Sequence, residues 1–218
     1  MDDPGLDPAI YDRVLRDLSR VNRWTLTAWP TLAFLKRAAT VTPAFRLLDV
    51  GFGHGDMLRA IARWARRRGI AVDLVGIDLN PKSEDAARAA TPAGMPIDYR
   101  TGDYAELSGP FDFVISSQVA HHMTHPELDS FIRFMERNAT RGWLISDLHR
   151  HVFSYYGFPL LARAIGAHRI VREDGQLSIA RAFRPADWRE ILRKAGLPDG
   201  ATRIVRRFPF RLCVERLR

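Results

Sequence analysis

The run Leu47-Leu48-Asp49-Val50-Gly51-Phe52-Gly53-His54-Gly55-Asp56 constrains this chain more than any other stretch. Phe45 to Val50 is a compact apolar strand, and Leu58, Ile61, Ala62 and Ala65 mark one face of a helix directly afterwards. The three glycines between them allow sharp turns and a close approach of backbone to a ligand. The helix start beyond them favours an anion. A glycine triplet alone is a tight turn, but between a strand and a helix it reads as a ligand cradle. The spacing also separates cofactor classes. A dinucleotide fingerprint takes glycine or alanine where this chain has Asp56, and a carboxylate there repels a pyrophosphate.

Strands and helices alternate from that point on. Ala71 to Ile77 is a second strand, and Asn80 with Pro81 forms an N-cap and first helical residue. Ile97 to Arg100, Phe111 to Ser116 and Trp143 to Ser146 are further strands, and Thr124 and Glu127 have capping-box spacing before a helix. Such alternation predicts a parallel sheet covered on both faces. A helix through Trp188, Ile191 and Leu192 ends near Gly196. Two closely spaced strands follow, Thr202 to Arg206 and Phe210 to Glu215, around Phe208-Pro209. So short a connection permits only antiparallel pairing. Pro8 to Ala39 reads as helix broken near Pro30, with Ile10, Val14, Leu15 and Leu18 at helical spacing. Residues 1–43 are thus a helical cap and 44–218 the α/β core. Within that core, 148–183 breaks the alternation as an insertion able to cover a site.

Three further segments carry chemistry. Asp78 ends the second strand in Gly76-Ile77-Asp78-Leu79-Asn80, where a carboxylate can accept two hydrogen bonds from vicinal ribose hydroxyls. Gly102-Asp103-Tyr104 follows the third strand; Asp103 suits an exocyclic amine, with Leu79 or Tyr104 against a flat base. Phe111 to Gln118 brings Ser117 and Gln118 to the carboxyl edge of the sheet, where open α/β folds bind ligands.

These four segments, in this order, resemble the motifs of class I S-adenosylmethionine-dependent methyltransferases, especially the small bacterial type 11 group. That group contains quinone-biosynthesis and secondary-metabolite enzymes. The resemblance runs from about Ala44 to the C-terminus. It implies a Rossmann-like, seven-stranded, mostly parallel sheet with an antiparallel terminal hairpin and S-adenosyl-L-methionine as cofactor. It further implies that Asp49, Gly51, Gly53 and Gly55 hold the methionine part, Asp78 the ribose and Asp103 the adenine, while Ser117 and Gln118 border the sulfonium. Ser146-Asp147-Leu148-His149-Arg150 and Arg181-Ala182-Phe183 are similar to members acting on polyketide or lipid-like aromatics.

Methyl transfer to oxygen needs alignment of the acceptor and a base, most often histidine. His121 and His122 follow the fourth strand, and His149 follows the fifth, so these three are the candidates. Tyr11, Trp24, Trp29, Phe153, Tyr155, Tyr156 and Phe158 offer a wall for a phenolic, quinone or polyketide-like acceptor, and Arg150, Arg163 and Arg181 could meet an anionic group on it. No metal is expected, since no carboxylate stands at a ligand spacing from the histidines.

A net charge of +8 over 218 residues raises the question of nucleic acid, but the arginines are scattered rather than clustered. The Asn/Asp-Pro-Pro-aromatic loop used on exocyclic base nitrogens is replaced by Ser116-Ser117-Gln118-Val119, and the lone Cys213 stands on the terminal strand. An RNA target other than these, or a non-catalytic cofactor-binding subunit, stays open at this stage. One cysteine permits no internal disulfide, which suits a reducing cytoplasm. Neither a secretory leader nor an apolar run of the ~20 residues needed to span a bilayer is visible, although weak membrane-surface contact is compatible with the charge.

Overall fold

The computed structural model describes residues 8–39 and 43–218, without the side chains of Pro8, Ala9 and Asp12. The rest of the expected cap, residues 1–7 and 40–42, lies outside the described residues. In the core, β1 (Ala44–Val50) leads through the glycine loop into α3 (Asp56–Arg66), then β2 (Ala71–Asp78), α4 (Pro81–Ala89), β3 (Ile97–Thr101) and β4 (Phe111–Ser117). α5 (His125–Asn138), β5 (Ala139–Leu148), α8 (Pro185–Lys194), β6 (Arg203–Arg207) and β7 (Arg211–Leu217) complete it. The strand order is β3-β2-β1-β4-β5-β7-β6. β1 to β5 are parallel, and β7 pairs antiparallel with both β5 and β6. The hairpin therefore does more than end the sheet, because its second strand slips between β5 and its first.

Burial on both faces explains the near-continuous apolar runs of the central strands. On one face Leu48, Val75 and Val114 pack with Phe131 and Ile132 of α5 and Trp188 of α8. On the other, Leu47, Leu74 and Phe113 pack with Leu58 and Ile61 of α3 and with Phe34 of α2 (Ala28–Ala38). Local signals hold where they are strong: Asn80 caps α4 by accepting from the Lys82 amide, and Thr124 with Glu127 forms a full capping box on α5. β5 starts at Ala139 rather than Trp143, because β4 and β7 extend it by pairing where its own residues are no longer apolar.

The N-terminal helices break at Thr25–Thr27 rather than at Pro30. Pro30 sits in the first turn of α2, where an amide proton has no helical partner to lose. The break forms where the Thr25 hydroxyl donates to the Val21 carbonyl at 2.9 Å and lies 3.1 Å from that of Thr27. The 148–183 segment folds as two helices, α6 (Val152–Ala164) and α7 (Arg169–Arg181). A third small core joins them to α1 (Pro8–Trp24) through Val14, Val21, Ala162 and Val171. These helices stand over the carboxyl ends of β4 and β5 and the amino end of β7. Among the described residues, no helix is long and apolar enough to cross a membrane.

Candidate active site

The glycine loop runs from the end of β1 to the start of α3 with Gly51, Gly53 and Gly55 all at positive φ. A side chain at Gly51 would collide with Val119, and one at Gly55 with the Tyr99 hydroxyl, whereas the space over Gly53 is open. Asp78 ties this loop to β2: one carboxylate oxygen accepts from the Gly53 amide and the other from the Asn80 amide, both at 2.9 Å. The Gly102 amide donates to the Asp78 carbonyl at 3.0 Å, so the ends of β2 and β3 are locked side by side. Leu79 is exposed beyond them, and Asp103 caps the short turn Tyr104–Glu106. The Tyr104 ring packs at 4.9 and 5.0 Å from Phe131 and Phe134, so of the two side chains expected against a flat base only Leu79 stands clear. His54 shapes the loop from within by accepting from Arg59 at its carbonyl, 2.7 Å away.

Two polar groups below the loop have no partner. Asp49 is buried with neither carboxylate oxygen hydrogen-bonded, and the Ser117 hydroxyl at the end of β4 is likewise orphaned. Burial, reinforced by the charges of Asp56 and Asp78, pushes the Asp49 carboxyl up to about 8. Burial raises Asp56 and Asp78 as well. Three carboxyl groups around an open backbone cradle form a site short of positive charge.

The second half of the site is a cavity of about 370 Å³ between α1, α6, α7 and the ends of β4, β5 and β7. Its wall is mainly aliphatic, with Leu18, Val21, Leu148, Leu161 and Ile179 beside Phe153, Phe158 and Phe210. Of the seven aromatics expected to form this wall, only Phe153 and Phe158 do so. Helical phase is the reason: residues 153, 157, 158 and 161 share the inner face of α6, and Tyr155 and Tyr156 fall outside it, their rings packed together. Tyr11 is buried against Ser83 of α4, Trp24 is exposed, and Trp29 lies under Arg207.

The three candidate histidines separate in space. His149 does not line the cavity; its amide bonds the Phe210 carbonyl, and its ring stacks near His151. Burial and the nearby Arg206, His151 and Arg184 hold its pKa below the ordinary value. His122 lines the cavity and is exposed, with its ring 4.2 Å from that of His121. His121 also lines the cavity and is buried. Its Nδ1 lies 2.7 Å from one oxygen of fully buried Asp147, while its amide donates to the other oxygen at 2.9 Å. Its Nε2 has no partner. Asp147 is fixed further by the Leu148 amide at 2.7 Å.

Asp147 is one of three residues whose place in the site was not read from the sequence. Asn22 of α1 is the second. It donates to Asp56 at 3.4 Å and accepts from Gln118 at 2.8 Å, so it joins the glycine loop to the cavity. Arg211 is the third, at the start of β7, where it donates to Gln118 at 2.9 Å. Gln118, at positive φ, is thereby clamped between α1 and β7. An acid at the carboxyl end of a central strand was the one available hint for Asp147. Nothing local singles out Asn22 or Arg211.

Residues 47–142 match the family model for a methyltransferase domain. The fold is that of the class I methyltransferases. Solved structures share its architecture. Magnesium protoporphyrin IX methyltransferase from Synechocystis PCC 6803, solved with bound SAH, is 24% identical; the match covers 99% of this chain and 90% of that one, with a TM-score of 0.61. A SAM-dependent methyltransferase from Aquifex aeolicus is 17% identical over 97% and 98% of the two chains, with a TM-score of 0.66. The plantazolicin methyltransferase BpumL, in complex with SAH and a monoazolic desmethylPZN analog, is 15% identical over 96% and 88%, with a TM-score of 0.61. At these identities the likeness concerns the fold of the methyltransferase domain. No curated protein matches the chain in sequence.

Proposed function

We propose that this methyltransferase takes its methyl group from S-adenosylmethionine and transfers it to a hydroxyl oxygen of a small, largely apolar acceptor. The observation that carries the reading is the buried Asp147–His121 pair on the wall of the cavity. The orphaned Asp49 carboxyl and the open backbone at Gly53 suit the cofactor, because the ammonium group of its amino acid end brings a positive charge to a loop with three carboxyl groups. Asp49, Gly51, Gly53 and Gly55 would hold that end and Asp78 the ribose. Leu79, Gly102 and Asp103 would frame the adenine, and Ser117 and Gln118 would stand beside the sulfonium. Bound there, the cofactor supplies a methyl carbon already activated for in-line displacement.

The chain's own residues have two tasks. The aliphatic wall excludes water and holds the acceptor in line, which can supply several kcal/mol. Asp147 accepts the His121 Nδ1 proton, which fixes the ring and leaves Nε2 as the acceptor of a proton. As the oxygen–methyl bond forms, the O–H bond breaks and its proton passes to Nε2. The resulting imidazolium faces Asp147. Residues 1–43 and 148–183 act as the cap, and 44–218 as the catalytic core. A cytoplasmic setting suits the single free thiol, Cys213.

A subunit that merely stores cofactor has no use for a buried acid holding a histidine at the cavity wall. A thiolate route to nucleic acid finds little support, since burial pushes Cys213 up to about 11. Incubation with methyl-labelled cofactor and a panel of phenols, hydroxyquinones and alkylresorcinols tests the reading. O-methylated product is expected from at least one. Retention of label by the protein with no turnover on any acceptor would favour the cofactor-holding subunit.

A further inference from the structure

Arg211 is an unusual occupant of an apolar wall. It lines the cavity at 3% exposure, and its three hydrogen bonds go to neutral oxygens: Gln118 at 2.9 Å, Thr27 at 2.6 Å and Thr25 at 3.1 Å. Its Nε is buried with no partner, and among the described residues it enters no ion pair. Burial pulls its pKa down to about 10. Asp147 attracts it through space, but that carboxylate already accepts from two amides and the His121 ring.

Holding the turn at Thr25–Thr27 does not account for a guanidinium. A neutral donor would serve the same oxygens without burying a charge, which costs several kcal/mol where the attracting carboxylate, Asp147, is hydrogen-bonded to other groups instead. The missing anion does not belong to the cofactor either. Arg211 pairs with Leu148 at the end of β5, and β4, β5 and β7 follow β1 in the sheet. Three strand spacings of about 4.8 Å put it roughly 14 Å from the glycine loop. Asp174, which also lines the cavity, comes from α7 and has interactions of its own. Arg150, Arg163 and Arg181, the expected anion partners, are not in this wall: Arg150 pairs with Asp187 at 2.7 Å, and the other two are exposed.

We infer that the acceptor is an apolar hydroxy acid whose carboxylate is anchored by Arg211 while its hydroxyl meets His121. This rests on the cavity being the acceptor site. Arg211 keeps a second Nη1 hydrogen beyond its bond to Gln118, and a guanidinium is more weakly hydrated than an ammonium, which suits a dry wall. The two groups would then fix both ends of one molecule, and the aliphatic lining would hold the body between them.

The test uses 6-hydroxy-2-naphthoate, whose two groups stand at opposite ends of the ring system, and its neutral carboxamide, titrated calorimetrically into the full chain without cofactor. The acid should bind at least about tenfold more tightly than the amide, since a bond to a charged group is at stake. Arg211→Gln should weaken the acid about tenfold or more, leave the amide within about twofold, and so erase the preference; Arg211→Lys should restore part of it. Equal binding of acid and amide to the unaltered protein overturns the inference, as does binding of neither, or an acid preference that survives in folded Arg211→Gln. Should that variant not fold, a crystal soaked with the acid decides: its carboxylate lies within hydrogen-bond reach of Arg211, or the inference fails. Because no cofactor is present, a failure here is distinguishable from a failure of the methyl-transfer reading, which turnover and S-adenosylhomocysteine titration address.

Discussion

The two halves of this site are built in opposite ways. Over β1 to β3, binding groups come from consecutive residues, each at a strand end or in the turn after it, and backbone does most of the work. Over β4, β5 and β7, the groups come from four separated parts of the chain: Asn22, the turn that holds Gln118 and His121, Asp147, and Arg211. These are side chains brought together only by packing. The first half is rich in acid, while the second is apolar around Arg211, two histidines and Asp174. The difference teaches that a cradle made of strand ends and turns rests on local backbone geometry, whereas a cavity made of distant side chains rests on tertiary contacts.

Variants that act on one half and spare the other sharpen this contrast. The largest effect is expected at His121. Replacing it with alanine, or Asp147 with asparagine, should slow turnover about 10²–10⁴-fold while cofactor affinity stays within about twofold. Steady-state kinetics beside S-adenosylhomocysteine calorimetry would show it, and a full-rate His121→Ala removes this residue as the base. Next comes Asp78→Ala, which should cost about 2–4 kcal/mol in cofactor affinity. It loses ribose contacts and also frees the Gly53 amide that Asp78 now holds. Unchanged affinity would unseat Asp78 from the ribose.

A smaller, pH-dependent effect is expected at Asp49. Its carboxyl stands at about 8 in the empty site, so at neutral pH it carries a proton that a bound cation would drive off. Cofactor binding near pH 7 should therefore release up to about one proton and tighten until pH reaches about 8. Calorimetry in buffers of different ionisation enthalpy counts that proton. The same raised value makes the folded state hold a proton that the unfolded chain gives up, so ligand-free stability should fall as pH rises from about 4 to about 8. Asp49→Asn should abolish that fall in melting experiments. If wild type and variant melt in parallel across the range, the carboxyl is not isolated as the fold suggests. The smallest effect belongs to His149→Ala, which should leave turnover within about twofold, because its ring faces His151 rather than the cavity. A large loss there would merge the two histidine sites that the fold keeps apart.

How much was legible from sequence follows the same division. The glycine-loop half was legible as geometry because each of its signals is local. The glycine loop, Asp78 and Gly102 fall at strand ends within a few residues of the apolar runs that define the strands. The hairpin was also visible, since its short connection allowed one pairing direction. The place of its second strand, β7, between β5 and β6 was not, because strand order depends on which edges meet. The break near Thr25 was misplaced at Pro30 for a similar reason: a proline is tolerated in a first turn, and the hydroxyls that shape the real break bond a side chain 184 residues further along.

The sequence alone therefore determined the parallel α/β core, the antiparallel ending, the glycine cradle and the acid beside it, since each rests on periodicity or spacing within one turn or strand. Only the tertiary structure decided which histidine meets an acid, which aromatics face inward and which arginine is buried. Those choices turn on helical phase and on strand neighbours far apart in the chain, and a side chain's charge acquires its meaning from what surrounds it rather than from what precedes it.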